Sequence, residues 1–348
     1  MWAAGYVPGM QVPQPRGPLT EELFSAFRLG SDDFYPVLAV APTAAGEDAA
    51  LALWTLHQLH YTGFDGVADE LEWDPQLIRV RGLLERDLEA RLRRRVDVPP
   101  GRSFTEDFFD WLDEQDGPSL ARFVHRDATV EQVHDLLRVR SVYHLKEADP
   151  TAWVVPRVGT AAKAALMELQ YDEYGDGDPN RLHHHLWARG ITACGIEPSV
   201  DAHIDLAPLE ILEQNNALSM FGLQRRLRGA AIGHLAAFEA TSSLPSRRMA
   251  QGLERLEMPQ ELVDYYAEHV EADAVHEQLA VRTIAAALLA EDPALEGDLW
   301  FGAAACLELE NRTALAMFER WDVTSGSGVP DSLAAPAAEL APEHKDVA

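Results

Sequence analysis

The sequence predicts an all-α fold. Apolar residues recur at intervals of three and four along most of the 348-residue chain, which is the period of an amphipathic helix. Few runs of β-branched residues alternate with period two, so β-strands have little support. No repeat of fixed period is present, which argues against a solenoid. We therefore expect a helical bundle.

The predicted helices have recognisable start and stop signals. Asp74 and Pro75 open a long charged helix, because aspartate is a preferred N-cap and proline is favoured at the first helical position. The run Pro99-Pro100-Gly101 ends it. The other predicted helices are Glu47–His60, Glu106–Glu114, Thr129–Ala148, Ala161–Tyr174, Pro179–Cys194, Leu209–Phe221, Leu223–Ala240, Arg247–Glu254, Gln260–Leu289 and Glu296–Trp321.

The two ends of the chain differ from this body. Residues 1–18 contain four prolines and are expected to form an irregular arm. Residues 323–348 are rich in Ser, Gly, Pro and Ala and contain no aromatic residue, so we expect disorder there. We divide the chain into an N-terminal arm and helical extension (1–74), a helical domain (75–321) and a tail (322–348).

Composition excludes several functions. The chain carries 29 Lys+Arg against 57 Asp+Glu, a formal net charge of -28, so nucleic acid and anionic membrane surfaces are not expected partners. Its two cysteines form no CxxC pair, which excludes a thiolate metal cluster. We expect neither a signal peptide nor a membrane span, and the sequence contains no GxGxxG motif or P-loop. We expect a cytoplasmic protein that does not bind a nucleotide tightly.

One predicted helix carries a candidate metal-binding stripe. His269, Asp273 and His276 stand at positions i, i+4 and i+7, so they share one helix face over two turns. Two imidazoles and a carboxylate suit a divalent metal such as iron. A solvated polar face with two ordinary histidines would give the same spacing. The stripe alone does not decide between these interpretations.

A second candidate group lies at a predicted chain reversal. Glu173 ends one apolar helix, and glycines and a proline follow before the run His183-His184-His185. Antiparallel helices joined there would bring Glu173 close to one of these histidines. Adjacent residues point about 100° apart on a helix, so at most one of the three can face a given site. Spacing alone leaves open which one it is.

Two further carboxylates complete the candidate set. Glu239 lies in the apolar run 232–240, where an unpaired carboxylate is costly and a cation is the simplest compensation. Glu147 precedes Asp149-Pro150, and a solvated helix end beside Lys146 explains it equally well. Together with Glu173 and Asp273 they make four carboxylates, whose charge two divalent irons would neutralise. Without metal, four such neighbours would strongly raise one another's pKa values.

Four separate stretches of this sequence resemble one protein family, the haem-oxygenase-like di-iron oxidases and oxygenases, also called iron-containing redox enzymes. The resemblance covers roughly residues 130–290. It rests on the stretches Tyr143-His144-Leu145-Lys146-Glu147-Ala148-Asp149-Pro150, Asp172-Glu173-Tyr174-Gly175 with His183, His234-Leu235-Ala236-Ala237-Phe238-Glu239, and His269-Val270-Glu271-Ala272-Asp273-Ala274-Val275-His276. The resemblance selects His183 over its two neighbours.

The resemblance implies a haem-oxygenase-like bundle of about seven core helices, here with an extra N-terminal helical section. It implies two non-haem irons, held by Glu147, Glu173, His183, Glu239, His269, Asp273 and His276, although manganese in the second position is left open. It further implies O2-dependent oxidation of a small amine, amino acid or fatty-acid-like substrate, by N-oxygenation or oxidative C–C cleavage. An external electron donor and a homodimer are left open.

The substrate is expected beside the metals, near Tyr143, Tyr174, Phe238 or Tyr266, although such aromatics are more often simple core residues. The sequence is compatible with two alternative functions. A haem-binding or haem-degrading protein on the same fold would need a proximal histidine such as His57, His60 or His134. A metal-dependent scaffold would bind metal without consuming O2.

Overall fold

The fold is all-α, as the sequence predicts. A computed structural model describes residues 10–323, except for the side chains of residues 271–275, and this part of the chain contains no β-strand. The helices are α1 (Pro18–Leu29), α2 (Tyr35–Val40), α3 (Gly46–Gln58), α4 (Pro75–Arg95), α5 (Phe104–Asp113), α6 (Leu120–Arg126), α7 (Val130–His144), α8 (Asp149–Ala152), α9 (Thr160–Glu173), α10 (His183–Ala193), α11 (Leu209–Leu223), α12 (Arg228–Ala240), α13 (Ser243–Arg255), α14 (Gln260–Gln278), α15 (Ala286–Glu291) and α16 (Glu296–Arg320). The predicted tail lies outside the described residues from 324 onward, as does the arm up to residue 9.

Local sequence signals fix several helix ends. The Asp74 carboxylate accepts hydrogen bonds from the backbone N–H groups of Gln76 at 2.8 Å and Leu77 at 3.0 Å, so it caps α4 as predicted. Thr129 and Gln132 bond reciprocally to each other's backbone at the start of α7. These caps satisfy N–H groups that a helix leaves without an internal partner.

Other boundaries differ from the prediction. Helix α7 ends at His144 rather than Ala148, and residues 145–148 form a turn, because Pro150 lies in the first turn of the separate helix α8. Helix α10 begins at His183 rather than Pro179, because residues 175–182 complete the reversal first. A π-helical stretch, Leu279–Ala285, interrupts the long helix predicted over residues 260–289. Helices α1, α2, α6 and the four-residue α8 were not predicted.

The N-terminal helices share a hydrophobic core with the helices that follow. Leu19, Leu23 and Phe24 of α1 are fully buried in the cluster that also contains Leu212 and Met220 of α11. Asp48 of α3 accepts the backbone N–H groups of Leu19 and Thr20, each at 2.9 Å, and so anchors the start of α1. The predicted boundary at residues 74/75 stays a prediction.

Glycines let α12 and α16 pack at close range. A Cβ atom on Gly233 would lie 1.9 Å from the backbone oxygen of Leu299, and one on Gly302 would lie 2.0 Å from that of Ala230. No side chain fits at either distance, so the two backbones meet directly. This contact fixes the position of α12, which carries Glu239.

We expect Gly302→Ala to reduce stability markedly. The added methyl group must push α16 away from α12, and overpacking of this kind costs about 1–3 kcal/mol. Gly297→Ala is the matched control on the same helix, because a Cβ atom there meets nothing within 4 Å. Thermal unfolding of both variants checks this. Equal melting temperatures for the two would show that the close contact contributes nothing.

Candidate metal centre

Six of the seven predicted ligands lie together in two groups of potential donor atoms. One group comprises Glu147, His183 and His269, and the other comprises Glu173, Glu239 and His276. Within each group, one donor atom from each residue lies within 4.8 Å of the others. The side chain of the seventh residue, Asp273, lies outside the described residues, although its backbone belongs to α14.

Glu147 is buried and held by one of its two oxygens. It is 8% exposed, so the alternative of a solvated helix end does not hold. Its Oε2 accepts the Tyr265 hydroxyl at 2.9 Å and lies 2.9 Å from His144 Nδ1. Its Oε1 has no hydrogen-bond partner within the described part of the chain and lies 4.0 Å from His269 Nε2. The free oxygen is therefore the one that faces the group.

The two histidines of this group come from different helices. His183 begins α10 and is 2% exposed, and its ring lies 4.6 Å from that of His269 on α14. His269 Nδ1 lies 2.8 Å from the backbone oxygen of Tyr265, so the N–H there donates to that carbonyl and Nε2 is left free. A hydrogen bond of this kind commonly orients a metal-ligating histidine.

The second group centres on His276. Its Nδ1 lies 3.3 Å from Glu239 Oε2 and 3.7 Å from Glu173 Oε1. Its Nε2 lies 2.9 Å from Asp172 Oδ2, a carboxylate outside the group. His276 is thus oriented from behind by one carboxylate and faces two others with its remaining nitrogen.

Glu173 joins the two groups. Its Oε2 lies 3.1 Å from His183 Nδ1, and its Oε1 faces His276. The helix α9 ends at this residue, and Gly175 and Gly177 then reverse the chain with φ of 73° and 83°. The reversal returns the chain to His183 at the start of α10. Glu173 therefore has one oxygen directed to each group.

The donor atoms of the two groups are arranged to bind a divalent metal rather than to form hydrogen bonds with one another. Three buried atoms of the two groups, Glu147 Oε1, His183 Nδ1 and His276 Nδ1, have no hydrogen-bond partner among the described residues. The contacts of His183 Nδ1 with Glu173 and of His276 Nδ1 with Glu239 are misaligned for hydrogen bonding. Buried polar atoms without partners are costly, and a cation between the converging atoms removes that cost. Imidazole and carboxylate together suit iron.

The pKa values show how protons balance the carboxylates in the absence of metal. Burial lowers the pKa of His183, but its contact with Glu173 outweighs burial and raises the pKa to about 10. Burial also lowers the pKa of His276, but its contact with Glu239 outweighs burial and raises the pKa to about 9. Burial raises the pKa of Glu147 to about 6 and also raises that of Glu239. Both of these histidines are therefore protonated at neutral pH.

We expect metal binding to release about two protons per chain at pH 7, one each from His183 and His276, because ligating imidazoles must be neutral. Metal affinity should therefore keep rising from pH 7 toward pH 9–10. With unperturbed histidines, whose pKa is about 6.5, the affinity would level off at a lower pH. The raised pKa values stabilise the metal-free fold below pH 6.5, and this contribution disappears as pH rises through 9–10. Weakly buffered anaerobic Fe(II) titration measures the protons. Iron binding without proton release would contradict this protonation pattern.

The other residues that the sequence analysis considered for the site lie outside the two groups of donor atoms. His184 and His185 are half-buried and belong to neither group. Tyr143 and Phe238 line a cavity that Glu147, Glu173, Glu239 and His269 also line. Tyr174 instead donates to Asp149 at 2.9 Å, and Tyr266 lines a different cavity.

Three residues that support the ligands were not predicted as part of the site. Asp172 contacts His276, while His144 and Tyr265 hold Glu147. Spacing carries a partial signal, since Asp172 adjoins Glu173 and Tyr265 stands four residues before His269. His144 stands only three residues before Glu147, whereas the contacts of Tyr265 with Glu147 and of Asp172 with His276 join distant parts of the chain, so only the fold shows those two.

Two of the three histidines named as candidates for haem binding, His57 and His60, have other partners. His57 Nδ1 lies 3.2 Å from Asn216 Oδ1, and its Nε2 lies 3.1 Å from Glu85 Oε1. His60 contacts Glu72 and Arg81. Both ring nitrogens of each histidine are therefore engaged, and these contacts do not favour the haem alternative.

Comparison with known proteins identifies the family. The model of the iron-containing redox enzyme family matches residues 134–311, just over half of the 348-residue chain. The chain belongs to this family. All seven predicted ligands lie within the matched segment. A comparison with curated proteins gives no match.

Membership confirms the suspected resemblance and the haem-oxygenase-like all-α fold. It makes the chain an iron-containing oxidoreductase at the level that the family description gives. Among the described residues, no helix combines the length and the apolar composition that crossing a membrane requires.

Proposed function

We propose that this iron-containing redox enzyme is a non-haem di-iron oxidase or oxygenase, which uses O2 to oxidise a small organic substrate by N-oxygenation or oxidative C–C cleavage. A small amine, an amino acid and a fatty-acid-like molecule are the candidate substrates. The observation that carries the proposal is the pair of His/Glu groups that Glu173 joins. Helix bundles with such paired carboxylate and histidine ligands are the usual setting of di-iron chemistry.

Each group would hold one iron. Glu147, His183 and His269 supply one carboxylate and two imidazoles, while Glu173, Glu239 and His276 supply two carboxylates and one imidazole. Asp273 is the further predicted ligand, on the same helix face as His269 and His276. The four carboxylates would balance the charge of two divalent irons, which allows a buried site.

Ferrous iron, when bound, supplies the electrons and the open coordination positions that O2 chemistry requires. The chain's own residues orient the ligands and exclude water. Tyr265 and His144 fix Glu147, and Asp172 fixes His276. Leu169, Leu235 and Phe238 form part of the wall beside the ligands, so the space next to the centre is largely apolar.

Oxygen uptake tests this function. The chain is loaded with Fe(II) under anaerobic conditions, mixed with O2, and followed by an oxygen electrode and optical spectra. We expect rapid O2 consumption that requires iron and that a His276→Ala variant loses. Iron binding with no O2 consumption would support the scaffold alternative, and a Soret band on adding haem would support the haem alternative.

A further inference from the structure

A small cavity adjoins the candidate metal centre. Its volume is about 40 Å³, which is room for a few water-sized groups. Glu147, Glu173, Glu239 and His269 form one part of its wall, and apolar side chains such as Leu218 and Phe221 form much of the rest. Two other polar side chains, Gln170 and His234, also line it.

Gln170 and His234 are buried polar residues, and each has one side-chain atom without a hydrogen-bond partner among the described residues. Each is 2% exposed, and neither Gln170 Oε1 nor His234 Nε2 has a hydrogen-bond partner in the described part of the chain. The equally buried Gln214 shows the usual arrangement, since it donates to Glu310 and accepts from Arg140. A buried polar atom left unpaired destabilises the fold, so two such atoms beside one cavity indicate that a ligand binds there.

Both residues lie near the ligands along their helices. Gln170 precedes Glu173 by three residues on α9, an axial rise of about 4.5 Å. His234 precedes Glu239 by five residues on α12, an axial rise of about 7.5 Å. Because both side chains line the same small cavity as Glu173 and Glu239, a molecule of a few heavy atoms could reach from them to the metal centre.

We propose that Gln170 and His234 bind the head group of a small substrate, and that this head group donates hydrogen bonds and carries no negative charge, as in an alcohol or a primary amine. The inference rests on the proposed function, because it places the substrate beside the iron centre. It narrows the substrate class by excluding a carboxylate at this position.

The charges around the cavity support this choice. Gln170 Oε1 can only accept hydrogen bonds. Burial lowers the pKa of His234 to about 4, so the ring is neutral at pH 7 and can accept at Nε2 in one tautomer. No lysine or arginine is among the described residues that line the cavity, and three glutamates are. A carboxylate head group would lack a counter-ion there.

Stability of the metal-free chain gives the first test. We expect Gln170→Leu to melt at the parent's temperature or above, because it removes an unpaired polar group while roughly keeping the volume. Gln214→Leu is the matched control and should melt several degrees lower, because it breaks existing hydrogen bonds. A loss in Gln170→Leu as large as that in Gln214→Leu would overturn the inference, since it would reveal a structural partner for Gln170.

Ligand binding gives the second test. The iron-loaded chain is titrated anaerobically with 1-propanol, propylamine and propionate, and binding is followed by calorimetry and melting temperature. We expect the alcohol or the amine to bind, and Gln170→Leu and His234→Leu each to weaken that binding at least tenfold. Propionate binding that depends on Gln170, unchanged binding in both variants, or no binding of any probe would overturn the inference.

The two tests separate this inference from the proposed function. The stability comparison uses the metal-free chain, so it gives its answer even if the chain takes up no iron. A chain that consumes O2, but whose alcohol or amine binding does not depend on Gln170, would contradict the inference alone. A chain whose alcohol or amine binding depends on Gln170, but which never consumes O2, would contradict the proposed function alone.

Discussion

Replacing His183 with alanine is expected to reduce iron binding by at least half, from about two irons per chain to one or fewer. His183 is 2% exposed, faces His269 and lies 3.1 Å from Glu173. Its loss leaves the first group with only Glu147 and His269 and also removes the neighbour of the joining carboxylate. Metal analysis after anaerobic Fe(II) loading measures the effect.

His184→Ala is the matched control for this substitution. His184 adjoins His183 on the same helix but belongs to neither group of donors. We expect this variant to bind as much iron as the parent. If His184→Ala or His185→Ala abolished iron binding while His183→Ala did not, the assignment of the ligand on α10 would be wrong.

Glu239→Gln should weaken iron binding roughly 10- to 100-fold while leaving the metal-free chain at least as stable as the parent. Glu239 is 5% exposed, and burial raises its pKa, so its charged form opposes folding in the absence of metal. Glutamine removes the charge and nearly keeps the shape. Melting curves with and without Fe(II) separate the two effects, because iron stabilises only the folded state.

A packing role for Glu239 predicts the opposite pattern. In that case the metal-free variant would melt below the parent and would bind iron with unchanged affinity. Such a result would remove Glu239 from the metal centre, and would leave His276 Nδ1 facing Glu173 as its remaining carboxylate in the group.

Much of the fold could be predicted from the sequence, because helix period and capping residues are local signals. Asp74 and Pro75 mark the start of α4, and the structure begins the helix at that point. The short helices α2 and α6, six and seven residues long, offer too few turns for a clear period. The turn that carries Glu147 was also missed, because the apolar spacing continues past His144.

Much of the candidate site could also be predicted from the sequence, but for a different reason. Glu239 in an apolar run and the i, i+4, i+7 stripe on α14 are signals that chemistry imposes on a local sequence. Which histidine of the three at 183–185 turns inward is a question of helix phase. The family resemblance selected His183, and the structure buries that residue and leaves the other two half-buried.

Most of the supporting residues could not be predicted, because their roles depend on contacts between distant segments. Tyr265 reaches Glu147 across 118 positions of the chain. Gln170 and His234 look like ordinary polar residues in helices, and only the fold shows that both are buried at one cavity without partners among the described groups. A sequence pattern records which residues share a helix face, but not which faces meet.

The iron content of the chain tests the central claim most directly. The protein is loaded anaerobically with ⁵⁷Fe(II), freed of excess metal, and examined by metal analysis and Mössbauer spectroscopy. The two groups joined by Glu173 predict about two irons per chain in two distinct ferrous environments. A chain that holds one iron or none after saturating anaerobic loading would contradict the di-iron centre.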